Sequence, residues 1–279
     1  MLDKDNGPIL ISVIMGIYNC QETLSRAIDS ILTQTYSHWE LVMCDDGSTD
    51  NTYQIANRYK EMYPEKIILL KNNVNQGLSP ALNKCLRASK GGFVARQDAD
   101  DVSLPIRFEK EANYLLSHPD CAFVSCGMYV HDGTKRIGLR IQKRIKPDAK
   151  GFMKRNQFFH APVMIRREAL ETVNGYSEDS RLLRVEDYNL WTKLYAAGFH
   201  GENIQEAYYE VLENDKTYKR RKFKTRINGA YATLIAVDML KLPLWYKIFA
   251  LRGLVIGILP TSLYQLLHRK RLSKMNKQQ

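Results

Sequence analysis

The chain has 279 residues, 44% of them hydrophobic and 25% charged. That balance excludes a disordered or fibrous chain and supplies a core for one large domain or two small ones. The net charge of +11 is uneven: from Asp215 onward fifteen Lys or Arg stand against two Asp, while the part before holds 26 basic and 28 acidic residues. A basic C-terminal part on a near-neutral body points to an anionic partner, whether membrane lipid, nucleic acid or phosphorylated substrate. The five cysteines form no CxxC pair and mostly sit in apolar runs. They are expected to be reduced and buried, as in a cytosolic protein, rather than bridged or bound to zinc. Met1 to Pro8 is short and polar and is not read as a secretory signal.

In chain order, Ile9 to Met15 is an apolar, β-branched run ending at Gly16, the pattern of a buried strand. A helix follows with Leu24, Ala27, Ile28, Ile31 and Leu32 on one stripe. Trp39 to Cys44 is a second strand that runs into Asp45-Asp46-Gly47-Ser48-Thr49-Asp50. Ser48 or Thr49 is expected to cap the next helix, which carries Ile55, Ala56, Tyr59 and Met62. Ile67 to Leu70 is a third strand, Asn72 to Gly77 a polar loop, and Ser79-Pro80 a helix start. Phe93 to Gln97 is a fourth strand leading into Asp98-Ala99-Asp100-Asp101. A helix is expected after Pro105, running to about Ser117, a strand over Cys121 to Tyr129, and a hairpin or loop over the basic Lys135 to Lys150. His160-Ala161-Pro162 precedes the apolar Val163-Met164-Ile165, and Val185-Glu186-Asp187-Tyr188 precedes an amphipathic helix with Leu190, Trp191 and Leu194.

Strands alternating with helices over the first hundred residues call for a mostly parallel sheet covered on both faces. Ligands of such sheets bind beyond the C-terminal strand ends. Those ends carry Tyr18-Asn19, Asp45-Asp46 and Asp98-Ala99-Asp100, so three polar clusters distant in sequence converge on one edge. Crowded carboxylates there suit a hard divalent cation carrying a phosphate. Each motif also has a plainer explanation: surface aspartates for Asp98 and Asp100, a turn with a helix cap for Asp45-Asp46-Gly47-Ser48, an exposed turn residue for Tyr18, helix-dipole charge for Glu186-Asp187, and a structural histidine for His160.

The C-terminal part changes character. Lys216 to Arg226 is densely basic, with Lys219-Arg220-Arg221-Lys222 able to clamp a diphosphate, bind lipid head groups or form a solvated face. Leu242 to Leu267 is rich in aliphatic and aromatic residues and is closed by His268-Arg269-Lys270-Arg271. Its uninterrupted part, Gly253 to Leu267, is shorter than the roughly 20 residues that span a bilayer. An interfacial or re-entrant segment with basic anchors is the expectation. GxGxxG after a strand, HExxH and Cys/His zinc spacings are all missing from the sequence, and only a loose P-loop-like stretch is present.

Taken together, Ile11 to Asn19, Cys44 to Asp50, Asn73 to Gly77, Gln97 to Asp101 and Glu186 to Trp191 occur in an order that resembles the family-2 inverting glycosyltransferases of GT-A fold, over roughly Leu10 to Gly201. The C-terminal part resembles that of bacterial capsule and exopolysaccharide enzymes. The resemblance implies an α/β GT-A fold, Rossmann-like, with a mostly parallel central sheet flanked by helices and a basic, apolar helical membrane-associating C-terminal segment. It implies a catalytic domain over 1–212, with a nucleotide-sugar half of about 9–101 and an acceptor half of about 102–212, followed by the segment 213–279. Tyr18, Asp46, Gly77, Asp98 and Arg220 would bind the nucleotide-sugar, with UDP as the nucleotide. Asp100 would ligate Mg²⁺ or Mn²⁺. Asp187 would be the general base, and His160 and Glu186 would lie toward the acceptor. The absence of QxxRW implies transfer of a single sugar rather than polymerisation. The implied acceptor is a lipid-linked oligosaccharide on a polyprenyl diphosphate, met on the cytoplasmic face of the cell membrane by a peripheral or monotopic protein. Nucleic acid is not an implied partner, and the apolar segment also allows a homo-oligomer interface. Two other readings are a sugar-1-phosphate nucleotidyltransferase, which would need a Gly-rich, Arg-containing loop where Gly16-Ile17-Tyr18-Asn19 stands, and a non-catalytic nucleotide- or nucleic-acid-binding protein using the basic tail.

Overall fold

The computed structural model describes residues 7–213 and 223–252. The first half runs β1 (Ile11–Ile17), α1 (Leu24–Leu32), β2 (Trp39–Asp45), α2 (Thr52–Met62), β3 (Ile67–Lys71), α3 (Leu78–Ala88) and β4 (Phe93–Arg96). Then come β5 (Val102–Ser103), α4 (Arg107–Ser117), β6 (Cys121–His131), β7 (Arg136–Arg140), α5 (Ala149–Phe152), β8 (Val163–Arg166), α6 (Arg167–Thr172), α7 (Glu186–Ala196), β9 (His200–Leu212) and α8 (Phe223–Met239). A 3-10 turn at Leu244–Ile248 follows α8.

The strands form one sheet in the order β3-β2-β1-β4-β8-β6-β9-β5, with β7 paired to β6. β3, β2, β1 and β4 are mutually parallel, as are β6 and β9, and β8 runs antiparallel between β4 and β6. The expected mostly parallel sheet is therefore present, with β5, β7 and β8 reversed. The register aligns Ile17 with Asp45 and Ile14 with Arg96, so the chain leaves β1, β2 and β4 along a single edge.

Alternation places Val13, Met15, Leu41 and Met43 in one core with Leu24 and Ile28 of α1 and Phe108 of α4. Ile14, Val42 and Cys44 face a second core with Leu82 of α3, Trp191 of α7, and Ala236 and Val237 of α8. All five cysteines are free and four are buried. Among the described residues no helix is long and apolar enough to cross a membrane. The apolar stretch Gly253 to Leu267 and the cluster His268 to Arg271 lie outside those residues.

Several local expectations are corrected. Gly16 lies inside β1 rather than ending it. Neither Ser48 nor Thr49 caps α2. Asn51 occupies that position without a side-chain bond, and Asp50 Oδ1 accepts the Thr52 N–H at 2.9 Å. The Ser48 hydroxyl instead accepts the Asn19 N–H at 3.1 Å, because the turn after β2 must be tied to the turn after β1. α3 begins at Leu78 with Gly77 before it, which places Pro80 in a first turn whose N–H groups have no intrahelical partner. β9 shows no strand pattern in the sequence, because Glu202, Asn203, Gln205 and Glu206 interrupt its alternation. Of the two buried members, Glu202 accepts from Tyr114 Oη at 2.7 Å, and Asn203 Nδ2 donates to the Arg144 carbonyl at 2.9 Å while Asn203 Oδ1 is left without a partner among the described residues.

Candidate active site

The acidic turn after β4 is held from below by buried polar groups. Gln97 Nε2 donates to the carbonyls of Asp98 and Asp101, each at 3.1 Å, and Ser103 Oγ donates to Gln97 Oε1 at 2.6 Å. Arg107, fully buried, donates to Ser103 Oγ at 2.9 Å and to the Arg96 carbonyl at 2.9 Å, and it pairs with Glu111 at 3.1 Å. Burial pushes the Glu111 carboxyl up to about 7 despite the arginine beside it. Asp101 is buried and its Oδ1 accepts the Leu212 N–H at 3.0 Å, tying the turn to the end of β9. Burial, and then the charges of Asp98 and Asp100, hold the Asp101 carboxyl well above the usual carboxylate range.

Asp98, Asp100 and Asp101 each bring a carboxylate oxygen within 4.8 Å of the others. An all-oxygen set of hard carboxylate donors fits Mg²⁺ or Mn²⁺. On the inner side Arg96, buried within the sheet, pairs with Asp98 Oδ1. The Asp98 N–H donates to Tyr209 Oη at 3.1 Å.

Asp46 organises the neighbouring strand end. Its Oδ1 accepts from Asn72 Nδ2 at 2.8 Å and from the Gln76 N–H at 2.9 Å, and its Oδ2 accepts the Gly77 N–H at 2.7 Å. Three donors on one buried carboxylate fix the loop from Asn72 to Gly77 over the edge of the sheet. Gly77 has φ of 98°, a conformation that favours glycine. Across the same edge Asn19 Oδ1 accepts the Thr49 N–H at 2.9 Å, so the turns after β1 and β2 are tied together.

These ends open into a cleft of about 670 Å³ lined by Tyr18, Asp46, Gly77, Asp98, Asp100 and Glu186, with Leu183, Arg184 and Leu212 closing it. Tyr18 is 47% exposed. Six of the residues singled out in the sequence thus share one cavity. Asp187 lies elsewhere: it lines a second cavity of about 680 Å³ between α5, α7, α8 and residues 249–252, while Arg184 borders both. Asp187 Oδ1 accepts its Tyr188 N–H at 2.7 Å, and Asn156 Nδ2 donates to its Oδ2. Burial and then the Glu186 charge raise the Asp187 carboxyl to about 6, with the Tyr188 N–H, Arg96 and Asn156 opposing the shift.

His160 lines neither cavity among the residues named for them. Its Nε2 is 2.9 Å from Tyr176 Oη, its ring meets Trp191 edge-on, and burial with the nearby Arg96 charge holds it well below the usual histidine value. It is therefore a neutral ring, fixed by Tyr176. Arg220 lies outside the described residues, as do Lys219, Arg221 and Lys222.

Arg96, Asn156 and Arg184 join the residues singled out in the sequence. A signal existed for Arg96, a cation inside an otherwise apolar buried strand. Asn156 and Arg184 carried none, since nothing local marks which loop meets α7.

Residues 12–173 match the family model described as Glycosyl transferase family 2. The chain is 40% identical over 268 residues to the putative glycosyltransferase EpsE of Bacillus subtilis, covering 96% of each chain. It is 28% identical over 204 residues to the UDP-Glc:alpha-D-GlcNAc-diphosphoundecaprenol beta-1,3-glucosyltransferase WfaP of Escherichia coli, covering 72% of this chain and 77% of the relative. Among solved structures, S. aureus TarS 1-349 in complex with UDP-GlcNAc superposes with a TM-score of 0.65 at 19% identity, over 88% of this chain and 71% of that one. The mannosyltransferase PcManGT of Pyrobaculum calidifontis, in complex with GDP-Man and Mn²⁺, does so with 0.62 at 22% identity, over 93% and 79%. At these identities the likeness establishes the fold, a GT-A-like α/β sheet.

Proposed function

The chain belongs to glycosyl transferase family 2, and from that premise we propose that it moves one sugar, with inversion, from a UDP-sugar to a lipid-linked glycan acceptor in surface polysaccharide synthesis. One observation carries the reading: Tyr18, Asp46, Gly77, Asp98 and Asp100 line one cleft, and the Glu186-Asp187 pair stands at the divide between it and a second cavity. The donor class is supported by the UDP-GlcNAc carried by TarS. The acceptor class is supported by the diphosphoundecaprenol in the name of WfaP.

In this reading Tyr18 packs against the base and Asp46, through the loop it pins, shapes the base pocket beside Gly77. Asp98, oriented by Arg96, meets the ribose. Asp100, with Asp98 and Asp101 beside it, would hold Mg²⁺ or Mn²⁺. When bound there, that cation would supply positive charge to the leaving diphosphate. Asp187 takes the proton of the acceptor hydroxyl, and that oxygen attacks the anomeric carbon on the face opposite the diphosphate. Asn156 and the Tyr188 N–H hold the carboxylate in place for this step. Glu186 faces the donor side and sustains the negative field that keeps Asp187 basic. His160 stands behind the acceptor side as a positioned neutral ring.

The catalytic unit runs to about residue 212, and the part from 213 supplies contact with the cytoplasmic membrane face. The exposed Leu244, Trp245 and Ile248 support that assignment. The test is a screen of purified protein against UDP-, GDP- and dTDP-sugars, scoring hydrolysis and then transfer to isoprenyl-diphosphate-linked acceptors. Release of UDP from one donor is the expected result. No turnover of any nucleotide-sugar, with or without acceptor, would overturn the reading.

A further inference from the structure

The second cavity has a composition that the transfer of a sugar does not by itself require. Lys154, Arg155, Arg184, Arg226 and Arg252 line it, and among the described residues that line it Asp187 is the one acid. Phe152, Met153, Phe249 and Ala250 supply an apolar wall. Arg252 Nη1 donates to the Lys154 carbonyl at 2.7 Å, which fastens residues 249–252 across the cavity to the loop after α5.

The segment that forms this wall has two different sides. Phe249 and Ala250 line the cavity, whereas Leu244, Trp245, Ile248 and Leu251 are 71%, 61%, 64% and 56% exposed. Four large apolar side chains left in water on one short segment mark a surface that meets something apolar. A cavity that joins cations to an apolar wall, carried by a segment with an apolar outer face, suits a ligand with an anionic head and a hydrocarbon tail. A single fully ionised diphosphate would answer the excess of guanidinium and ammonium groups.

We propose that this cavity is an isoprenyl-diphosphate subsite: Lys154, Arg155, Arg226 and Arg252 hold the diphosphate of a lipid-linked acceptor, and the wall at Phe152, Met153 and Phe249 takes the first isoprene units. The proposal rests on the transfer reading above and deepens it. It places the acceptor's sugar hydroxyl toward Asp187, with the diphosphate on the side of the cavity away from the strand-end cleft. The outer face at Leu244, Trp245, Ile248 and Leu251 enters the bilayer from which the tail extends.

The test uses the full chain and farnesyl diphosphate as a short probe, with binding measured by calorimetry in saturating UDP and Mg²⁺ so that the strand-end cleft is filled. Saturable binding is expected, at least tenfold tighter than that of farnesol or of inorganic diphosphate. The charge-reversed pair Lys154→Glu/Arg155→Glu should weaken it tenfold or more. Both positions are exposed, and circular dichroism checks the fold. Arg155→Glu alone, the milder variant, should weaken it severalfold. Displacement of the probe by UDP, equal binding of farnesol, or wild-type affinity in both folded variants would each overturn the proposal. Nucleotide-sugar hydrolysis by the same preparation reads the parent hypothesis separately. Turnover without probe binding sinks the subsite alone, and probe binding without turnover of any donor sinks the transfer reading alone.

Discussion

Glu186 and Asp187 are adjacent in sequence and face different cavities, Glu186 the cleft at the strand ends and Asp187 the cationic cavity beside α8. The start of a helix makes this possible, because consecutive residues there project about 100° apart. The pair therefore stands between the two cavities.

Asp187→Asn is expected to lower transfer by about 10²- to 10⁴-fold, the usual contribution of a positioned base. The wild-type rate should rise with pH through a limb near 6, where Asp187 ionises. The stability effect has the opposite sign. The folded value lies above the ordinary carboxylate value, so the favourable contribution of the protonated group is present at low pH and lost as pH rises through about 6. The Asn variant should therefore match wild type near pH 4 and exceed it at pH 7, on the order of 1 to 3 kcal/mol. Urea unfolding at the two pH values checks this, and a variant less stable than wild type at pH 7 would contradict the burial argument.

Removing the cation should silence the enzyme reversibly. Chelation by EDTA is expected to abolish turnover and added Mn²⁺ or Mg²⁺ to restore it. Asp100→Asn should raise the cation concentration needed for half-activity by tenfold or more, because one of three clustered carboxylates is lost. Full activity after exhaustive chelation would rule out the metal assignment.

Arg107→Met should destabilise the protein by about 3–5 kcal/mol, since Glu111 would remain buried without its partner. Adding Glu111→Leu should recover a large part of that loss, as buried pairs replaced together by apolar residues often do. Denaturant midpoints decide it. A single variant within 1 kcal/mol of wild type would mean that the pair does not hold the base of the acidic turn.

Asp46→Asn presents an amide N–H₂ to donors that now meet a carboxylate, and should cost about 1–3 kcal/mol. The loop from Asn72 to Gly77 loosens, so KM for the nucleotide-sugar should rise more than KM for the acceptor. Equal rises in both would assign Asp46 to general folding rather than to the donor pocket.

The strand-end cleft was legible in the sequence for a simple reason. Apolar runs that end in Tyr18-Asn19, Asp45-Asp46 and Asp98-Ala99-Asp100 announce strands, and alternation with helices makes the strands parallel, so their ends share an edge. The individual roles of Asp98 and Asp100 came from resemblance to a family. The plainer reading of Glu186-Asp187 as helix-dipole charge was also sound locally, for both do sit in the first turn of α7.

Sequence alone determined the strand–helix alternation, the shared edge and the residue types gathered there, because these follow from periodicity and chain direction. Tertiary structure decided the rest. Arg96 matters through the groups that surround it: Asp98 is two residues away, but Tyr176 and Glu186 arrive from distant segments. Asp187 is raised by burial among elements as far apart as Asn156 and α8. β9 pairs with β6, and Tyr114 and the Arg144 carbonyl bond the buried Glu202 carboxylate and Asn203 amide N–H₂ from outside the strand. Burial, and with it the charge state of a side chain, is a property of the packed neighbourhood, and no local stretch of chain contains it.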